Sequence, residues 1–395
     1  MQDKTQNKNL MILCKVVDNF GDIGVVYRLA KALTDLDSSL NLTIVCSNLE
    51  SFSAMAQKID PSKKSQIFTY RQNSWQILDW EQDEDFEFTS TPFPIILECF
   101  QCGRPQWLEK ILFAPDSKET YRIFNIEYLT AEDYAEDFHL LKCYTRSQNV
   151  KKMFFMPGFT KKTAGLLLDS GFEQTLKTAR TAKKDKNQFT VTLFSYERDF
   201  KQIFEALLRL QEKQRKKNPA FTVKVLAAAG KSQSFAQKAW EQTDRKLDFT
   251  ALPFLPQEEW DKILCAADFN FIRGEESLAR ACLAGLPFFW HAYVQEENYQ
   301  LVKVSALLQK LLPFVEEENL SSALELLWNQ YNTPEAPLNA ENLDYIFQKA
   351  AEGTLKKSFA AFAEELLKNG NLAKNLLDFL QTGLSATVEK KSKKY

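Results

Sequence analysis

The stretch "DNFGDIGVVYRLAKAL", residues 18–33, reads as a strand-to-helix turn, and the architecture follows from it. An apolar segment, Leu10 to Val17, precedes it. After it Val26, Leu29, Ala30 and Leu33 recur at i, i+3, i+4 and i+7, one apolar face of a helix. A βα turn of this kind usually holds a phosphate on glycines and bare N–H groups. Here Gly21-Asp-Ile-Gly24 stands in place of GxGxxG, and Asp18 and Asp22 flank Gly21. A pyrophosphate would meet both carboxylates, a repulsion worth kilocalories where water is excluded. The turn is therefore read as one that meets a cation or takes up a proton. On residue types alone a second reading stays open, in which Asp22 caps the helix and Asp18 turns the loop.

Working outward, the first half alternates strands with helical patterns. Strands are expected at Leu10 to Val17, Leu42 to Cys46, Pro94 to Phe100 and Tyr121 to Glu127. Near-continuous apolar strands between helices imply a parallel, doubly wound sheet. From Met156 to Gln188 the chain turns Lys- and Thr-rich, which reads as a linker. The alternation restarts with Phe189 to Phe194, Phe221 to Ala229, Ala267 to Ile272 and, more weakly, Pro287 to Trp290; from Ser321 to Leu380 it is helical. The expected class is α/β with two Rossmann-like domains facing across a cleft: residues 1–155, a linker at 156–186, a second domain at 187–360, and helices at 361–395 that cross back to the first.

The totals agree with this. A chain of 395 residues is too long for one ordinary core, and 45% hydrophobic with 26% charged residues is a globular composition. A net charge of −2 supplies no global field toward nucleic acid or a membrane surface. The start, MQDKTQNKNL, is polar, and no apolar run reaches bilayer length. Seven scattered cysteines suit reduced thiols and a cytoplasmic setting. Cys99 and Cys102 form a CxxC pair, but a structural zinc needs about two more ligands and the nearest histidine is His139, so no metal is expected.

A second turn has the opposite character. FNFI (269–272) is a strand and LARACLAG (278–285) a helix ended by Gly285 and Pro287. Between them lies Arg273-Gly274-Glu275-Glu276-Ser277. Arg273 offers a forked cation, and the N–H groups of a helix start favour an anion. Glu275 and Glu276 oppose this unless they point at ligand hydroxyls. A capped helix with an incidental surface arginine is the other reading. Phe194-Ser-Tyr196 and Pro253-Phe-Leu-Pro-Gln257 are polar-aromatic loops that could stack on a nucleobase. His291 reads as a satisfied buried histidine, Glu81 to Asp85 as a solvated loop, and the tail TVEKKSKKY as a frayed end.

DNFGDIGV with RLA, NIEYLTAE (125–132), RGEES and FFWHAYVQEEN, in this order from about residue 10 to 300, resemble the EarP family, the protein-arginine rhamnosyltransferases that modify bacterial elongation factor P. The resemblance implies a GT-B fold and inverting transfer of rhamnose from dTDP-β-L-rhamnose, which activates the factor for rescue of stalled ribosomes. It implies Asp22 as the catalytic carboxylate with Asp18 beside it in the acceptor site, and Glu275 as a second essential acid. Arg273, Glu276 and Ser277 would face diphosphate and sugar, and Phe194, Tyr196, Phe254 and Gln257 would line the thymidine pocket. The sequence departs from the family pattern at Glu276 (Asp expected), Tyr27 (Trp expected), Val294 (Pro expected) and Glu296 (Asp expected). The carboxylates of the first turn then make sense, because the acceptor is an arginine whose pKa lies above about 12. The rivals are a GT-B enzyme with another acceptor, a sugar-nucleotide epimerase, and a non-catalytic binder of the translation factor.

Overall fold

The computed structural model describes residues 8–17, 20–83, 86–88 and 94–392, with 383–392 described by their backbone alone. The chain forms two compact units, one of residues 1–129, 133–170 and 369–395, the other of residues 130–132 and 171–368.

The first unit is built on eight strands: β1 (Lys8–Cys14), β2 (Leu40–Cys46), β3 (Ser65–Tyr70), β4 (Asn73–Asp79), β5 (Ile95–Cys99), β6 (Tyr121–Ile126), β7 (Lys142–Cys143) and β8 (Val150–Phe155). They lie in the order β3-β4-β2-β1-β5-β6-β8-β7. Pairing is parallel except for β3 on β4 and β7 on β8. The central strands are buried on both faces, as helix-covered parallel strands must be. Leu10, Ile12 and Ile44 meet Ile23, Val26, Leu29 and Leu33 of the helix Gly21–Leu36, the face expected from the 3.6 period. On the opposite face Met11, Leu13, Ile96 and Ile123 pack with Leu108 and Leu112 of the helix Gln106–Leu112.

Most of the stretch read as a linker is packed structure, and only residues 182–187 before β9 are an exposed connector. Ala164 and Leu167 join the first unit's core, and Ser170–Thr181 is a helix that buries Phe172 and Leu176. Its Lys and Thr residues mark the outer face of an amphipathic helix, which composition alone confuses with a solvated connector. Asp169 takes the buried Arg28 guanidinium at 3.1 Å. The last helix, Leu372–Ser392, sets Leu372, Leu376 and Leu380 into the same core as the helix Gly21–Leu36.

The second unit holds β9 (Gln188–Leu193), β10 (Thr222–Ala227), β11 (Asp248–Ala251), β12 (Phe269–Arg273) and β13 (Phe288–His291), all parallel, in the order β11-β10-β9-β12-β13. Phe271 anchors its core, with ring centroids 5.3 Å from Phe269, 5.7 Å from Phe289 and 5.5 Å from Tyr331. In both sheets the strand order reverses beside the first strand, between β1 and β5 and between β9 and β12. The loops leaving those strands diverge, which opens a crevice where α/β sheets hold ligands.

The helix Gly274–Ala284 ends on Gly285 in the left-handed region, φ +65°. A Cβ there would stand 3.1 Å from Ala360 Cα and 3.2 Å from Ala363 Cβ. Gly285→Ala is expected to cost about 2–4 kcal/mol, backbone strain plus overpacking, and to lower the urea midpoint at unchanged slope. Gly353→Ala, at φ +80° with nothing within 4 Å, should cost only the strain. Equal losses in the two variants would contradict the packing argument.

Candidate active site

The first crevice is organised by Asp22, the second residue of its helix and only 2% exposed. The helix is capped at Phe20 without a side-chain hydrogen bond, so the capping reading of Asp22 does not hold. Its carboxylate instead faces back across the turn. Oδ2 accepts the Val17 N–H at 2.8 Å and Oδ1 accepts the Tyr128 hydroxyl at 2.9 Å. Asp18 lies outside the described residues.

Tyr128 leaves the loop after β6 and stacks on Phe100, ring centroids 4.3 Å apart and planes within 15°. Phe100 and Gln101, just after β5, both have left-handed backbones, φ +60° and +52°. Two consecutive non-glycine residues there cost roughly 1–2 kcal/mol each. The turn is held by Phe100 N–H on Ile126 O at 2.7 Å and Gln101 N–H on Asn125 Oδ1 at 3.2 Å. Asn125 in turn donates to the Glu127 carboxylate, whose pKa burial pushes up. The crevice thus collects two carboxylates, an amide and two aromatic rings from three loops.

The CxxC pair serves no such chemistry. Burial pushes the thiols of Cys99 and Cys102 up, Cys102 to about 12, so both are protonated at neutral pH. His139 accepts the Met156 N–H on Nδ1 at 3.2 Å, a structural role. Of the acidic run, Asp83 pairs with Lys64 at 2.6 Å, and Glu84 and Asp85 lie outside the described residues.

The second crevice is organised by Arg273 at the end of β12. Its guanidinium carbon stands 4.8 Å from the ring centroids of both Phe194 and Tyr196, which follow β9. Two aromatic faces so placed hold the side chain extended and leave the fork's edge for a ligand. Gly274 then turns the chain into the helix at φ +71°. A Cβ at Gly274 would meet nothing within 4 Å, so the backbone angle alone calls for glycine. The turn brings the helix's first N–H groups, with Ser277 buried, beside Arg273. Glu276 is turned away toward the buried Arg280, 3.3 Å distant, and Arg280 lies 4.6 Å over the Phe172 ring. Glu275 stands in the same first turn. Phe254 is 55% exposed in the loop after β11, and Gln257 opens the helix Gln257–Ala266, whose Trp260 packs edge-on against Phe194 at 5.6 Å.

A buried polar cluster fixes the loop after β9. Ser195 Oγ lies 2.8 Å from His291 Nδ1 and 2.7 Å from the Tyr331 hydroxyl, and Arg198 donates to the Tyr331 carbonyl while lying 4.3 Å over its ring. Burial, with Arg198 and Arg273 nearby, holds the His291 pKa down at about 3. A neutral His291 supports Tyr196, its ring 5.3 Å away, without adding charge.

With this geometry in view, the relatives can be compared. A sequence model of the family described as Elongation-Factor P (EF-P) rhamnosyltransferase EarP matches residues 10–381. The chain belongs to that family. It is 30% identical to the protein-arginine rhamnosyltransferase of Pseudomonas putida over 339 residues, covering 81% of this chain and 86% of the relative. It is 30% identical to that of Shewanella oneidensis over 371 residues, covering 83% and 90%. A solved structure described as "Structural basis for EarP-mediated arginine glycosylation of translation elongation factor EF-P" superposes with a TM-score of 0.57, covering 95% of this chain and 99% of that one at 19% identity. That likeness carries the fold, which is GT-B with C-terminal helices. As a member of the EarP family the protein is a glycosyltransferase. Among the described residues no helix is long and apolar enough to cross a membrane, and no three His, Cys, Asp or Glu side chains are grouped to hold a metal ion.

Within the EarP fold, then, Arg273, Phe194 and Tyr196 come together around one guanidinium, and Asp22 stands at the other switch point, with Asp18 outside the described residues. Sequence reasoning missed Tyr128, although it lies inside the quoted NIEYLTAE, because a tyrosine's reach across to a helix 106 positions away has no local signature. It missed Ser195, Arg198 and Tyr331 for the same reason.

The depressed His291 pKa has a measurable sign. Between about 6.5 and 3 the unfolded chain binds a proton there that the folded chain refuses, so stability falls as pH drops through that window. The slope contributed is up to about 1.4 kcal/mol per pH unit. Unfolding free energies from urea titrations at several pH values should show a shallower acid slope in His291→Asn. An unchanged slope would remove His291 from this account.

Proposed function

We propose that this protein transfers L-rhamnose from dTDP-β-L-rhamnose to an arginine side chain of EF-P, with inversion at the anomeric carbon and without a metal. Membership of the EarP family supports the sugar and the acceptor protein. The observation that carries the mechanism is the opposite charge at the two switch points. A buried carboxylate with both oxygens oriented stands at one, and an arginine clamped between rings at a helix start stands at the other.

An arginine guanidinium is delocalised and stays protonated below about pH 12, so its nitrogens are poor nucleophiles. Asp22 addresses this by orienting one nitrogen and drawing the positive charge toward itself. As the nitrogen forms its bond to the anomeric carbon, the bond from that carbon to the diphosphate oxygen breaks. The nitrogen's proton passes to the Asp22 carboxylate. Tyr128 and the Val17 N–H fix which lone pairs face the acceptor, so little reorganisation is left for the reaction itself. Asp18 and Glu275 serve as further acids toward the acceptor and the sugar.

The charge that develops on the departing diphosphate falls to Arg273 and to the N–H groups opening the helix Gly274–Ala284, with Ser277 among them. Phe194, Tyr196, Phe254 and Gln257 hold the nucleoside. Glu276, drawn to Arg280, serves the donor site through that pairing. Because acceptor and donor groups belong to different units, the two kinds of binding can be lost separately by mutation.

The test is the intact mass of unmodified EF-P after incubation with this protein and dTDP-rhamnose. A gain of one deoxyhexose is expected, and none when the acceptor arginine is lysine. Donor binding by calorimetry without any transfer would point to another acceptor, and absence of donor binding would overturn the reading. Asp22→Asn should slow transfer by about 100- to 10,000-fold with the donor Kd unchanged. Arg273→Ala should instead weaken donor binding by about 1.5–3 kcal/mol. Tyr128→Phe keeps the ring and loses the donor to Asp22, so kcat should fall about tenfold at unchanged donor Kd. A Tyr128→Phe enzyme at full kcat would show that the hydroxyl does not position Asp22.

A further inference from the structure

We propose that a charged pocket on the first unit seats an acidic side chain of the acceptor protein; this rests on the functional reading above. The pocket has a volume of about 320 Å³ and is lined by Arg104, Arg146, Lys152, Glu109, Phe113 and Tyr144 among others. Two of its cations are held by Glu98 on β5, 2% exposed, which takes Arg104 at 2.6 Å and Lys152 at 2.7 Å. Glu109 is shared by Arg104 and Arg146. The Arg146 guanidinium lies 3.9 Å over the Phe113 ring and its side chain is 64% exposed.

Three cations facing two carboxylates leave the cluster one positive charge in excess, from Arg104, Arg146 and Lys152 against Glu98 and Glu109. A buried, hydrogen-bonded charge network contributes little net stability compared with apolar residues of the same volume. An open network in which an exposed guanidinium, stacked on a ring, shares one carboxylate with a second arginine has the form of a carboxylate receptor. The segment around it repeats the bias: residues 142–152 carry Lys142, Arg146, Lys151 and Lys152 and no Asp or Glu.

The pocket's surroundings point to a protein as the source of that carboxylate. Tyr134, Phe138, Leu140, Leu141 and Tyr144 are all exposed, Tyr144 completely, on the stretch leading into and out of β7. β7 is a two-residue strand at the sheet's outer edge. Tyr144 stands among the cations of 142–152 at a sheet edge, whereas the helix Tyr134–Phe138 carries Glu136 and Asp137 and adds apolar area rather than positive charge; together they form a surface suited to a partner. The pocket and the acceptor crevice share β6. Ile123 lines the pocket and Tyr128 is five residues further along the same chain, roughly 16 Å at strand spacing. A standard interface, with about 800 Å² on each partner, is roughly 30 Å across and covers both. Anchoring a carboxylate here presents a nearby arginine of the same partner to Asp22.

The decisive measurement is the Kd of unmodified EF-P by calorimetry, read beside KM and kcat for transfer. Arg146→Glu should raise both Kd and KM for EF-P about tenfold or more, leaving the donor KM unchanged, and the effect should shrink in high salt. Tyr144→Ala, a change at a fully exposed side chain, should raise the EF-P Kd several-fold. A Lys substitution at one acidic EF-P residue should restore binding to Arg146→Glu and weaken it for the parent enzyme. Unchanged EF-P affinity in both Arg146→Glu and Tyr144→Ala overturns the proposal, as does loss of self-association by sedimentation with EF-P affinity intact, which would make a second copy the occupant. If the parent protein binds EF-P through this pocket but transfers no sugar, the functional reading fails and the docking surface stands.

Discussion

A carboxylate 2% exposed at the mouth of a βα turn is a costly thing to build, and the first unit is arranged around meeting that cost. An ionised group taken from water loses several kilocalories unless hydrogen bonds replace the solvent. Asp22 receives one bond from its own turn, the Val17 N–H, and one from Tyr128 on a different loop. Tyr128 is itself set by the ring of Phe100, and Phe100 is presented by two consecutive left-handed residues. Strain at β5, a stacking contact and a hydroxyl thus form one chain of support. A carboxylate needed only to start a helix would require none of it, since a single N–H of the first turn suffices for a cap.

The second unit solves the mirror problem with different means. Arg273 must stay extended at the end of a strand without being quenched by an acid. Aromatic faces hold a guanidinium while leaving its N–H groups unspent, which a salt bridge would not. The adjacent Glu276 illustrates the point, because it is drawn off by Arg280 one turn along rather than by Arg273. The neutral His291 beneath Tyr196 belongs to the same economy: a protonated imidazole there would compete with Arg273 for the anion.

What the sequence made legible was local. The 3.6 period of Val26, Leu29, Ala30 and Leu33, the apolar strands β1, β2, β5, β6, β9 and β12, and the two unlike turns all follow from spacing within a dozen residues. The elements it concealed are those whose burial is partial or one-sided. β8 reads VKKMFF, with Lys152 facing Glu98 and the pocket and Lys151 exposed, and β3 and β4 form an antiparallel edge pair that alternates polar residues. The helix Ser170–Thr181 hid behind its solvent face. Likewise the site's supporting residues, Tyr128, Phe100, Ser195 and Tyr331, act across separations of 28 to 136 positions. No pattern short enough to read in one chain encodes those.

The distribution of charge carries the functional argument further than the total does. A net charge of −2 gives no long-range pull on any partner. Within one unit, however, Asp22 and Glu127 lie at the ends of β1 and β6, and the cations Arg104, Arg146 and Lys152 gather beyond β5 on the sheet face covered by the helix Gln106–Leu112. An acceptor arginine flanked by acids on its own protein would be drawn to the first and repelled by the second, and its acids the reverse. Such a dipole selects orientation rather than affinity, because only one way of docking satisfies both signs. For an enzyme that must choose one arginine among the many on a protein surface, orientation is the property that confers specificity, and two oppositely charged sites on one unit supply it.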